Sequence, residues 1–375
     1  MSDRVLTARE LNRTLLERQL LLRRHKLPLP RAVERVAGLQ AQWANSPYVA
    51  LWSRLEGFDR DQLTRALERG TLVKATLMRT TLHIVTPRDY FTFHQVFRQD
   101  RIERFTRELA KNAPDLDAPN VIRRALAAVG DRPALRADYF DAAGEDRRSP
   151  PGNVRAWMFW VAIQTHGELV HVPPSGTWGH VGSPVFAPAR SWVGTERARA
   201  VSGDARVHLV RRYLAAFGPA SLADLNSWSQ ARNLRPALAE LEPQLRRFRD
   251  EAGRLLLDLK RAPLVDGDVP APVRFLPKWD TAILGYAPPE RWRILPERYR
   301  KRVIAVNGDV KQTFTVDGVI AGTWDVERRR RVTTLALRPF SRLSTDARAE
   351  LTEEGASLLR FVDPDAASYA VRVGS

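Results

Sequence analysis

Helical apolar stripes that stop at a turn residue and run at once into a short β-rich segment recur along this chain, and few folds accommodate that alternation. Thr7 and Glu10 form a capping-box pair ahead of Leu11, Leu15 and Leu22, which recur at helical spacing. A second helix is expected from Pro30 to near Gln40: Pro30 suits a first turn, Val33, Val36 and Ala37 continue an apolar stripe, and Pro47 forbids long continuation. On that reading Gln40 falls on the stripe and faces inward. A third helix lies around residues 46–55, and another over 59–69 is closed by Gly70. Residues 72–77 and 82–86 then read as strands separated by Met78-Arg79-Thr80.

Helices followed by a terminal hairpin are the winged-helix pattern, and it recurs twice more without evident identity between copies. In the second copy Asn153 caps an apolar helix through Ile163, Gly167 closes it, and a strand over 169–172 precedes the Pro173-Pro174-Ser175-Gly176 loop. In the third, 207–217 is a helix, Gly218-Pro219 turns the chain, and Ser221 with Asp224 caps a helix carrying Leu222, Leu225 and Trp228. Residues 237–241 continue helically, and 246–248 with 255–259 supply a wing. From about Val273 the texture becomes β: Asn307-Gly308 lies between expected strands at 303–306 and 311–316, and Asp317-Gly318 precedes another at 319–324. Arg328 to Arg331 mark a further hairpin tip before 332–337, and a helix follows over 346–361. The expected fold is α+β, with three tandem winged-helix domains (1–90, 91–205, 206–270) and a small C-terminal antiparallel β-barrel-like domain (271–375) ending in a helix.

Composition narrows the function. The 44% hydrophobic content and ten tryptophans suffice for a large core, and 375 residues exceed what one core holds. Zero cysteines exclude disulfides, thiolate metal sites and a cysteine nucleophile, and fit a cytoplasmic, nucleoid-associated protein. The start Met1-Ser2-Asp3-Arg4 has no apolar signal core, and no apolar run approaches the roughly 18 residues that span a bilayer, so no membrane partner is expected. Net charge is +17, with only seven of the 60 basic residues lysine. Arginine's planar fork matches phosphate oxygens, so the surplus reads as the footprint of a polyanion binder; a GC-rich genome, which also raises Arg and Ala, is the competing explanation. His166 and His171 flank the helix-closing Gly167, a poor chelating pair, and no glycine loop cradles phosphate, so neither metal nor nucleotide cofactor is expected. The absence of a long heptad pattern favours a monomer.

Gln40-Ala41-Gln42 is the unusual local feature. Neighbours at i and i+2 lie about 200° apart on a helix, so both amides face one site only where the helix ends or the chain extends. This stretch resembles the Gln-apolar-Gln motif of the AlkZ-like DNA glycosylases, a bacterial winged-helix family that includes the YcaQ-type enzymes. Four further stretches carry the resemblance almost end to end. They are Leu11-Asn12-Arg13 with Leu20-Leu21-Leu22-Arg23, Leu77 through His83, Phe217-Gly218-Pro219-Ala220-Ser221 through Trp228, and Leu276-Pro277-Lys278-Trp279-Asp280. The resemblance implies monofunctional excision of N7-alkylated purines from double-stranded DNA, including bulky adducts and interstrand crosslinks, with Gln40 and Gln42 positioning the hydrolytic water beside C1′.

Two amides suit that chemistry only if the leaving group is already good. A carboxylate can activate water and stabilise an oxocarbenium-like sugar, whereas an amide contributes position and dipole. Guanine alkylated at N7 is formally cationic and departs readily. The plainer reading makes Gln40 a satisfied buried amide and Gln42 a surface residue. Arg79 and His83, in the first wing, are candidate DNA contacts, although a lone strand histidine more often packs. Lys278 and the run Arg328, Arg329, Arg330 and Arg331 are further DNA-contact candidates, the run being otherwise solvated surface. Asp280 and Trp43 are cleft candidates, Trp43 alternatively a core residue. A non-catalytic winged-helix regulator that reads undamaged DNA is the rival assignment.

Overall fold

The computed structural model describes residues 3–112, 114, 117–144, 154–329 and 331–374. The fold is mixed α+β, and its described strands form three sheets. Strand β1 (Arg4–Leu6) leads through Thr7 into the helix Ala8–Arg18, where the expected capping box forms: the Glu10 carboxylate accepts the Thr7 amide at 2.8 Å and the Thr7 hydroxyl accepts the Glu10 amide at 3.2 Å. Helices Leu29–Arg35, Ser46–Trp52 and Arg60–Glu68 follow, with β2 (Leu39–Gln40), β3 (Val73–Thr76) and β4 (Leu82–Val85).

The second helix is shorter than the apolar stripe suggests. It ends at Arg35, because Ala37 (φ +58°) and Gly38 (φ +92°) turn the backbone into left-handed conformations that no helix continues. A Cβ on Gly38 would meet Val85 Cγ1 at 2.9 Å, so this turn requires glycine twice over. Gln40 therefore stands on a strand, and the expectation that it rides a helical stripe is corrected.

A 26-residue helix, Pro87–Asn112, crosses out of the first group of elements. Helices Ala118–Val129, Arg136–Ala143 and Val154–His166 follow, with β5 (Ala134–Leu135), β6 (Leu169–Val172) and β7 (Val185–Pro188). Asn153, expected to cap the last of these helices, lies outside the described residues. Lys74 on β3 pairs with His171 on β6, so the first two hairpins fuse into one six-stranded sheet of order β2-β4-β3-β6-β7-β5. Next come helices Ala205–Phe217, Leu222–Ser229 and Arg235–Leu241 and the hairpin β8 (Leu245–Asp250) and β9 (Leu255–Leu259). The chain start completes that sheet, since β1 runs parallel to β8.

The C-terminal sheet contains β10 (Arg274–Leu276), β11 (Thr313–Val316), β12 (Val319–Arg329), β13 (Val332–Pro339) and β14 (Ser368–Val373) in chain order. Three of its pairings are antiparallel; β13 and β14 are parallel because the helix Thr345–Val362 carries the chain back between them. The strand expected at 303–306 is absent. The helix Arg300–Val303 runs into it, and Ile304 pairs only with Val310 across a tight turn closed by Ala305 and Asp309.

Packing joins these groups into one body. One apolar cluster runs from Leu15 to Ile320, and a second sets Trp52, Leu55 and Phe58 against Leu351 and Leu358 of the C-terminal helix. Two buried ion pairs cross the same junctions: Arg54 grips Asp280 at 2.7 and 2.9 Å, and Arg18 grips Asp258 at 2.7 and 2.9 Å. Removing one partner of such a pair costs about 3–5 kcal/mol, because the other charge is left desolvated.

Candidate active cleft

Strand β2 places the two glutamines on one side. Leu39 lies opposite Ile84 and Gln40 opposite His83, and the Ala41 amide donates to the Leu82 carbonyl at 2.7 Å, so the chain is still extended at Ala41. Alternate residues of an extended chain share a face. Gln40 and Gln42 accordingly both line one cleft of about 600 Å³.

Each carboxamide is oriented by a donor that fixes which end is oxygen. The Gln42 oxygen accepts the Leu82 amide at 2.6 Å, and the Gln40 oxygen accepts Arg79 Nη2 at 2.7 Å. Among the described residues neither NH2 group has a protein partner, and each carbonyl keeps a lone pair. Gln40 is 6% exposed, while Gln42 is exposed. The pair thus offers four N–H donors and two acceptor lone pairs to a molecule in the cleft.

Arg79 sits in the turn between β3 and β4 with φ +54°, and its other guanidinium nitrogen donates to the Trp228 carbonyl at 2.6 Å. Burial, then repulsion from Arg291, brings its pKa down to about 10, so it stays charged near neutrality. The sequence marks Arg79 as a phosphate contact; its two terminal nitrogens instead bond to Gln40 and Trp228, which makes it a positioning residue for Gln40. His83 does not fit a phosphate contact. It is 1% exposed on an interior strand, and its Nδ1 donates to the Thr81 carbonyl at 3.0 Å. Burial and the charge of Arg79 push its pKa down to about 3, so the ring is neutral.

The far wall comes from the C-terminal region. Lys278 Nζ bonds both Asp309 oxygens at 3.0 and 3.2 Å, and the Trp279 indole donates to the Gly308 carbonyl at 3.0 Å. Trp279, Arg291, Asn307 and Asp309 line the cleft with the glutamines. Asp280 does not: it is 2% exposed, caps the helix Thr281–Leu284 and holds Arg54. Trp43 is 39% exposed and outside the lining, which excludes the core reading for it. Arg328, Arg329 and Arg331 lie around the exposed β12–β13 tip and are not among the lining residues, with Arg328 bound to Asp363 at 2.8 Å; Arg330 lies outside the described residues. Among the described residues no three His, Asp or Glu side chains gather to hold a metal, and no helix is long and apolar enough to cross a membrane.

Sequence reasoning missed Arg291, Asn307 and Asp309. Asn307-Gly308 reads only as a turn, and nothing in the local pattern marks Arg291. Trp279 lay inside a resembling stretch without an assigned role.

The sequence matches the family described as DNA glycosylase AlkZ-like over residues 33–361. An interstrand DNA cross-link repair glycosylase from Streptomyces sahachiroi is 23% identical over 344 residues, covering 85% of this chain and 88% of that protein. The solved structure of the Streptomyces sahachiroi DNA glycosylase AlkZ shares the fold with a TM-score of 0.78 at 20% identity, covering 99% of this chain and 100% of that one.

Proposed function

Because this chain belongs to the AlkZ-like DNA glycosylase family, we propose that it is a monofunctional enzyme that excises N7-alkylated purines, bulky adducts and crosslinked purines among them, from double-stranded DNA. The observation that carries this reading is the pair of oriented amides, Gln40 and Gln42, on one face of an open cleft. A water held by their free groups sits where a sugar carbon can meet it. The C1′–N9 bond breaks with its electron pair leaving on the purine, which cancels the lesion's positive charge. The water oxygen then bonds to C1′ and releases a proton, leaving an abasic site. An open cleft suits bulky adducts that no tight flipping pocket would admit.

The same reading assigns the three helix-and-hairpin groups as winged-helix domains that carry the duplex and the C-terminal sheet as a barrel-like fourth domain, along the boundaries expected from sequence. It makes Lys278 and the β12–β13 arginines backbone contacts and places a monomer at the nucleoid. A duplex bearing one N7-alkylguanine, incubated with the protein and then cleaved chemically at abasic sites, tests it. Strand breaks should appear with the parent chain and fall by at least about 100-fold for Gln40→Ala with Gln42→Ala. Equal cleavage by the parent and the double variant would remove the assignment.

A further inference from the structure

A pair of amides leaves the reaction without a group to take the water's proton or to oppose positive charge on the sugar. Among the described residues that line the cleft, Asp309 is the only acidic one, and the charged groups around it are Arg79, Arg291 and Lys278. A cleft walled by cations alone repels both a cationic lesion and an oxocarbenium-like sugar, so one fixed carboxylate changes its chemistry more than any neutral group would.

Asp309 is held in place from several directions. Its carboxylate rests on Lys278 at 3.0 and 3.2 Å, its amide donates to Asn307 Oδ1 at 3.1 Å, and its carbonyl accepts the Ala305 amide at 2.9 Å. The turn is pinned again where Trp279 donates to Gly308 at 3.0 Å. Yet the ion pair is not sealed: the Asp309 side chain is 34% exposed and that of Lys278 31%. A group meant only as a structural clip gains nothing from facing the cleft.

Resting on the glycosylase reading above, we propose that Asp309 is the anionic member of this site: it opposes positive charge on the deoxyribose and accepts the proton of the water that Gln40 and Gln42 hold. As the C1′–N9 bond breaks and the purine leaves with the electron pair, the water oxygen bonds to C1′ and its proton passes to the Asp309 carboxylate, which returns it to solvent. Lys278 is a positioning residue for that carboxylate. The arrangement favours cationic lesions over neutral purines, since only the former bring charge that Asp309 attracts.

Single-turnover release of N7-alkylguanine from duplex, run beside duplex affinity and thermal melting, tests the assignment on the full chain. Asp309→Asn keeps the size of the side chain and should slow release on the order of 100-fold, at least tenfold, with affinity for undamaged duplex unchanged or tighter. Asp309→Glu should recover part of the rate, and Lys278→Met, which keeps the carboxylate, should lose less than Asp309→Asn. A loss smaller than tenfold in Asp309→Asn, or an equal loss in Lys278→Met, overturns the role of Asp309 while the glycosylase reading stands. No release by the parent chain overturns that reading and this inference together.

Discussion

At the scale of single residues, burial decides which side chains serve the cleft and which serve the fold. Gln40 and Gln42 are legible in the sequence because their stretch resembles a Gln-apolar-Gln family motif and because amides at i and i+2 share a face only where the chain is extended. Asp309 and Arg291 are not, because loops more than 200 residues downstream bring them to the cleft and no local period marks them. His83 shows the converse: its place in the hairpin is readable, but only the neighbouring strands reveal that it is enclosed and neutral. That neutrality has a consequence for stability. His83 and His94 both have native pKa values pushed down to about 3 by burial first, and His171 is lowered by burial too. An unfolded histidine titrates near 6.5, so below that pH the unfolded chain binds protons that the native chain refuses. The stabilisation is complete above about pH 6.5 and declines as pH falls toward 3, by up to about 1.4 kcal/mol per pH unit for each such histidine. The urea midpoint should therefore drop between pH 7 and pH 5.5, before most carboxylates titrate. A midpoint that holds constant over that window would count against three neutral buried imidazoles.

Among the elements, those with a chemical start and stop signal are readable and those defined by long-range pairing are not. The capping boxes at Thr7/Glu10 and Ser221/Asp224, and the hairpin on either side of Met78-Arg79-Thr80, follow from local chemistry. The two-residue β2 does not, since it exists only by pairing with β4, and an apolar stripe running through Val36 and Ala37 reads equally well as helix. The turn at 304–310 fails for a similar reason: β-branched residues suggest a strand, but no neighbour is present to pair with it beyond Val310. Gly38 is the hinge on which the first case depends. Gly38→Ala must hold a Cβ at φ +92° and 2.9 Å from Val85 Cγ1, with the Ile84 carbonyl at 3.3 Å. Strain of this kind costs about 1–3 kcal/mol. The expected outcome is a lower melting temperature in a chain that still folds, and a fall in base release at 25 °C larger than the folded fraction explains, because β2 and both glutamines shift together. Base release that tracks the folded fraction alone would show that the turn does not set the glutamine geometry.

Over the whole molecule, net charge can be divided between the interior and the surface. Arg13, Arg18, Arg54 and Arg293 are among the largest fully buried side chains, so part of the arginine wealth is structural, as the Arg18–Asp258 and Arg54–Asp280 pairs illustrate. Ion pairs consume acids and bases equally, however, and cannot absorb the excess of +17. Unmatched charge is too costly to bury in quantity, so most of that excess resides on the exterior, where a duplex can reach it. Arg329 and Arg331 are exposed at the β12–β13 tip, while neighbouring Arg328 is already tied to Asp363. If the tip contacts the duplex backbone, each of the two arginines displaces about one condensed counterion on binding. Replacing both with serine should then reduce the magnitude of the log K against log salt slope by about 2, weaken affinity similarly for all sequences, and leave single-turnover base release unchanged at saturating enzyme. A slope that stays the same would take the tip off the DNA path. The excess charge would then have to act from elsewhere, with Arg291, which lines the glutamine cleft, the next position to vary.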